Sequence, residues 1–183
     1  VCGTTGSGKG VFLGSIAAQC AKKGESVFIL DPKDDEWFPH VAYKASKDTD
    51  TSYHFIDLRK PNYQFNLFED IHPEELEELL LSGFELGDKG TDADHHRLQD
   101  REVATFVARN LIKGQTAEQF YLENYEYLYK EADGFAKKFR ELADIKAVNA
   151  SQGLSLKDII ASGGIVYIVG SMRNAKIIRI QKM

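Results

Sequence analysis

Gly3-Thr4-Thr5-Gly6-Ser7-Gly8-Lys9-Gly10, followed by a helical pattern and then by Ser26-Val27-Phe28-Ile29-Leu30-Asp31, is the stretch that decides the fold. Four residues separate Gly3 from the Gly8-Lys9 pair. At that spacing a wide loop of unhindered N–H groups wraps the β-phosphate of a nucleotide, and the lysine reaches the γ-phosphate. Residues 11–23 then place Val11, Ile16, Ala17, Ala18 and Cys20 at helical spacing, and Gly24 supplies a C-terminal stop. Residues 26–30 form a short continuous apolar run closed by Asp31-Pro32, which predicts a strand buried on both faces of a parallel sheet. With Val1-Cys2 read as the end of a preceding strand, this is one βαβ unit, and the fold class it implies is α/β.

Working outward, a helix within 36–47 and a strand at 53–56 continue the alternation. From about residue 69 the strand-like runs vanish. A helix is predicted from Pro73 through Leu76, Leu79 and Leu80, and another over 100–112 through Val103, Phe106, Val107 and Leu111. Thr116 and Gln119 form a capping box opening a third, Phe135, Phe139, Leu142 and Ile145 mark a fourth, and Ser155 with Asp158 opens a short fifth. Residues 84–97 lack periodicity and read as an exposed loop. Gly163-Gly164 leads into Ile165-Val166-Tyr167-Ile168-Val169, a second continuous apolar strand, and Ile177, Ile178 and Ile180 fall on a helical pattern with no stop signal. The domain plan is therefore a nucleotide-binding part at 1–68, an all-α insertion at 69–160 and a return to the first domain at 161–183. A chain that starts and stops inside elements is expected to be a piece of a longer protein.

A net charge of −5 excludes a domain that coats itself on nucleic acid through bulk positive charge. Cys2 and Cys20 are too few for a disulfide framework or a zinc site, which suggests a reducing, cytoplasmic setting. No apolar run reaches the ~18 residues of a membrane-spanning helix.

At the position where the phosphate-loop motif carries a Ser or Thr hydroxyl for Mg²⁺, this chain has Gly10. That ligand is replaced by water, by Thr5 or Ser7, or not at all. Asp31 at the end of an apolar strand has the look of a water-orienting acid, but the residues after it, Pro32-Lys33-Asp34-Asp35, lack an immediately adjacent second carboxylate. His95-His96 beside Asp92 and Asp94 suggests either a metal site or, more simply, a solvated loop. Arg173 is read as an arginine finger acting in trans or as a plain helix-start arginine. Tyr121, Tyr125, Tyr127 and Tyr129 with Lys130, Lys137 and Lys138 suit stacking on single-stranded DNA, while the i, i+4, i+8 spacing of Tyr121, Tyr125 and Tyr129 suits packing. Glu74, Glu75, Glu77 and Glu78 read as a solvated helix face.

Gly-Thr-Thr-Gly-Ser-Gly-Lys, one helix, then Phe-Ile-Leu-Asp-Pro-Lys resembles the type IV coupling proteins of bacterial conjugation, the TraD-like ATPases, over the whole chain. The resemblance implies a RecA-like nucleotide-binding domain interrupted by an all-α domain, and a motor that couples ATP hydrolysis to single-stranded DNA translocation. It implies ATP and Mg²⁺ as cofactors, with Gly3, Thr4, Thr5, Gly6, Ser7, Gly8, Lys9 and Gly10 as the phosphate cradle. Lys9 is the catalytic contact, and Asp31 and Lys33 stand beside the nucleotide or the seam between subunits. The implied partners are single-stranded DNA, relaxosome proteins and a type IV secretion channel, in a homo-hexamer held at the bacterial inner membrane. The family's acid pair follows the next core strand; here 165–169 is followed by Gly170-Ser171-Met172-Arg173, which places the pair beyond Met183. Two rivals remain: a P-loop kinase or metabolic NTPase with a helical lid, for which 69–160 offers only Arg97, Arg101, Arg109 and Arg140, and a non-catalytic docking module.

Overall fold

Both uninterrupted apolar runs become strands, and they pair with each other. The computed structural model describes residues 8–87 and 94–183. In chain order its elements are α1 (Lys9–Lys22), β1 (Val27–Asp31), α2 (Phe38–Thr49), β2 (Tyr53–Asp57), α3 (Pro73–Gly83), α4 (Asp94–Asn110), α5 (Ala117–Glu131), α6 (Asp133–Ala143), a 3-10 turn at Lys146–Val148, α7 (Leu156–Ser162), β3 (Ile165–Val169) and α8 (Ala175–Ile180). They fall into two units: Val1–Leu58 with Ser155–Met172, and Arg59–Leu154 with Arg173–Met183.

Among its described residues the first unit is α/β, with a three-stranded parallel sheet in the order β1-β3-β2. Ile165 of β3 is in register with Val27 on one side and with Tyr53 on the other. Parallel neighbours need crossovers: α2 lies in the connection from β1 to β2, and α7 ends the connection from β2 to β3. The last strand in sequence is thus the central one, with Ile165, Val166, Tyr167 and Val169 all buried. Its core joins Ile165, Tyr167 and Val169 to Ala21, Ala42 and Ala45, with Val27, Ile29, Phe38 and Tyr53 packed around them.

Two expectations are corrected here. β1 is not buried on both faces: Phe28 and Leu30, which share one face, are 42% and 49% exposed, and among the described residues β1 pairs with β3 alone. In α1 the large apolar residues Val11 and Ile16 point outward, and the buried stripe is Gly14, Ala17 and Ala21. Small residues at i, i+3 and i+7 let α1 approach α2 closely. A Cβ on Gly14 would lie 3.0 Å from Val41 Cγ1. At Gly163 the demand for glycine is twofold, because φ is +79° and an added Cβ would stand 2.5 Å from the Gly24 carbonyl oxygen.

The second unit is helical among its described residues. Pro73 opens α3 just after His72, whose backbone N–H donates to Glu75 Oε2. Thr116 and Gln119 form the expected reciprocal cap on α5. Phe135 and Phe139 stack at 5.6 Å, and Phe84 and Phe120 meet them edge-on at 5.3 and 6.0 Å. Of the loop expected at 84–97, residues 88–93 lie outside the described residues, while 94–97 already form the first turn of α4. Among the described residues no helix is long and apolar enough to cross a membrane.

Candidate nucleotide-binding site

Gly3, Thr4, Thr5, Gly6 and Ser7 lie outside the described residues, as does the side chain of Lys9. What is described is the start of the helix that the loop runs into. Gly8 caps α1 in the left-handed conformation, φ +78° and ψ 13°. A Cβ there would meet nothing within 4 Å, so the backbone conformation, not space, calls for glycine. Phe12 N–H donates to the Gly8 carbonyl at 3.0 Å. The amides before Phe12 have no partner inside the helix. Glycine has no side chain with which to cap the helix, and no acidic residue occupies the first turn. Orphan amides and the positive end of the dipole together favour an anion at this point, so the described part of the loop fits a phosphate.

Asp31 ends β1 and is 8% exposed. Its Oδ1 accepts from the backbone N–H of Lys33 at 3.0 Å and of Asp34 at 3.2 Å; its Oδ2 accepts from Asp35 N–H at 2.6 Å and from the Tyr167 hydroxyl at 2.7 Å. The carboxylate therefore organises a tight turn, in which Asp34 has φ +61°. Lys33 is exposed, and its backbone amide belongs to that turn.

The turn delivers Asp35, a residue the sequence reading passed over. Asp35 Oδ1 accepts from Trp37 N–H at 2.8 Å and Phe38 N–H at 2.9 Å, fastening the start of α2. Its Oδ2 lies 4.0 Å from where a Cβ on Gly10 would be. A carboxylate at the carboxyl end of β1 thus faces the first turn of α1, the region in which open parallel sheets hold their ligands. An aspartate two and three residues ahead of backbone amides that begin a helix is a recognisable signal, an Asx turn before Pro39. Gly10 itself offers a metal no oxygen. Among the described residues no group of three or more His, Cys, Asp or Glu side chains is placed to hold an ion. The side chains of Asp92, Asp94, His95 and His96 lie outside those described.

Arg173 is exposed and directly precedes Asn174, which caps α8 by accepting from Lys176 N–H at 3.1 Å and Ile177 N–H at 3.4 Å. The tyrosines of α5 divide. Tyr127 lies against Phe106 at 4.3 Å, and Tyr121 is hydrogen-bonded to Tyr129, its phenol pushed up by burial first and by that bond second. Tyr125 is 48% exposed, with its hydroxyl on Glu126 at 2.9 Å. The acidic helix face is only partly solvated, because Glu77 accepts from the Thr105 hydroxyl at 2.8 Å.

No family model matches this chain. No solved structure matches it either. Over 117 residues, 62% of its length, the chain is 30% identical to "Mobilization protein A" of Escherichia coli. The match covers 21% of that protein, so the chain spans about a fifth of the relative's length.

Proposed function

We propose that this chain is the ATP-binding portion of a conjugative DNA-transfer motor of the coupling-protein type, RecA-like in its α/β unit. Residues 3–10 hold the triphosphate, with Lys9 on the γ-phosphate. The observation that carries the reading is the start of α1, launched by a left-handed Gly8 and faced by Asp35 in the turn that follows a parallel strand. The likeness to Mobilization protein A supports the tie to conjugative DNA transfer. Mg²⁺, when bound with ATP, would neutralise charge on the phosphates. With glycine at position 10, Asp35 is the side chain we assign to the protein's contact with that metal. In the whole protein, single-stranded DNA, relaxosome proteins and a secretion channel are the partners, and a hexameric ring completes the site.

Hydrolysis by this chain alone should be no more than a trace. Asp31 is taken up by four donors, and Gly170-Ser171-Met172-Arg173 after β3 contains no acid to position water. The test is titration of the full chain with a fluorescent ATP analogue, beside a gel shift with single-stranded oligonucleotide and a titration with nucleoside monophosphates. Nucleotide binding that Lys9→Ala weakens, together with an oligonucleotide shift, is expected. Unchanged binding in Lys9→Ala overturns the phosphate assignment, and saturable monophosphate binding without an oligonucleotide shift favours a kinase.

A further inference from the structure

The helical unit holds a cavity of about 430 Å³, within the roughly 300–1,000 Å³ of small-ligand sites. Four cationic side chains line it, Arg97, Lys138, Arg179 and Lys182, and Glu85 is the one carboxylate among the lining residues. They come from α4, α6, α8 and the turn after α8, with Glu85 following α3, so the fold gathers charges that are remote in sequence. The concentration is unusual for a chain with 28 acidic against 23 basic residues. Lys182 pairs with Glu85, and Arg179 with Glu141. Lys138 is half-buried and donates to the Phe84 carbonyl at 2.9 Å. Burial, the largest cause, pushes its pKa down, and Arg179 and Arg97 push the same way against the opposing pull of Asp100 and Glu85. An entering anion would favour its charged form.

We propose that this cavity binds a phosphate group, held by Lys138, Arg97, Arg179 and Lys182. The phosphate comes either from a polynucleotide backbone or from a free phosphate or mononucleotide. Arginine's planar fork suits two phosphate oxygens at once, and lysine adds a point charge. No residue of the glycine-rich loop takes part, so the cavity stands whether or not that loop binds nucleotide.

The experiment uses the full chain carrying Lys9→Ala, which silences the loop. Calorimetric titrations with inorganic phosphate, adenosine monophosphate and single-stranded oligothymidylate are run at low salt. Binding is expected in at least one arm: a response to oligothymidylate alone assigns the backbone source, and a response to phosphate or the monophosphate assigns the small-molecule source. Lys138→Gln, which keeps a donor for the Phe84 carbonyl, should weaken binding about tenfold or more, the loss typical of a charge-assisted contact. Lys182→Gln should weaken it several-fold, and Lys44→Gln, an exposed lysine paired with Asp48 on α2, should leave it unchanged. If Lys138→Gln does not fold, judged by circular dichroism, Lys182→Gln against Lys44→Gln decides. No binding in any arm, or equal losses in Lys182→Gln and Lys44→Gln, would overturn the assignment.

Discussion

The hydroxyl of Tyr167, in the middle of β3, donates to Asp31 Oδ2 at 2.7 Å, across to the end of the neighbouring strand β1. Both side chains are buried. The same carboxylate holds the backbone amides of Lys33, Asp34 and Asp35, so one hydroxyl in the sheet fixes the turn that presents Asp35 to the first turn of α1. Tyr167→Phe keeps the ring, which stacks on Phe55 at 5.9 Å, and deletes only the donor. Denaturant unfolding should show a loss of about 1–2 kcal/mol, the cost of one missing hydrogen bond to a buried acceptor that keeps its other partners. An unchanged midpoint would show that the bond adds nothing net.

Stability should fall at alkaline pH through the same region. Burial pushes Tyr53 up to about 12. Tyr167 is also raised, by burial first and by its bond to Asp31 second. An unfolded tyrosine ionises near about 10. Below that pH both states carry the phenol proton, and the contribution is fully present. Between about 10 and 12 the unfolded chain gives up protons that the folded chain keeps, so unfolding becomes easier with each step in pH. Urea midpoints measured across this range should decline, and Tyr53→Phe should flatten part of the slope. A flat profile in the parent chain would mean that the two phenols titrate as they do in water.

Much of this was legible in the residues, and the failures share a cause. Periodicity located α2, α3, α5 and β2, because each depends on local spacing and caps such as Thr116 with Gln119. It could not tell the strand at 27–30 from the one at 165–169. Both are continuous apolar runs; among the described strands, pairing partners distant in sequence make the second central, while Phe28 and Leu30 of the first are left exposed. In α1 the weight given to large side chains misled, since Gly14, Ala17 and Ala21 make the buried stripe by being small. The glycine loop signalled a phosphate site by spacing alone. Asp35 was passed over because its importance comes from a turn that brings it beside a residue 25 positions earlier, Gly10.

Asn149 makes a second unit-wide prediction. It is 2% exposed, and its Nδ2 donates to the carbonyls of Leu142, Ala143 and Ile145 at 3.0, 3.3 and 2.9 Å. Its Oδ1 accepts from Glu118 N–H at 2.8 Å, so one amide closes the end of α6 and caps the beginning of α5. Asn149→Ala leaves several buried backbone groups without partners, at a cost of about 2–3 kcal/mol. Amide hydrogen exchange should report lost protection at the start of α5 and the end of α6. Loss spread evenly over the helical unit would argue against a local joint.

Gly10 offers the most direct test of the metal assignment. Its φ is not in the left-handed range, and a Cβ there meets only Asp35 Oδ2 at 4.0 Å, an ordinary contact. Gly10→Ser can therefore be made without strain, and serine near a helix N-terminus is well tolerated. The new hydroxyl stands where phosphate-loop proteins hold Mg²⁺, beside the one carboxylate oxygen that the described fold places there. On the proposed function, nucleotide affinity in Gly10→Ser should rise several-fold with Mg²⁺ and stay level in chelator, because the gain enters through the metal. Asp35→Asn in the Gly10 parent should weaken only the Mg²⁺-dependent part, with circular dichroism confirming that α2, fastened through Oδ1, is intact. A gain of equal size with and without Mg²⁺ would make the hydroxyl a phosphate contact. Equal affinities for the parent, Gly10→Ser and Asp35→Asn at every Mg²⁺ concentration would remove both positions from the metal site.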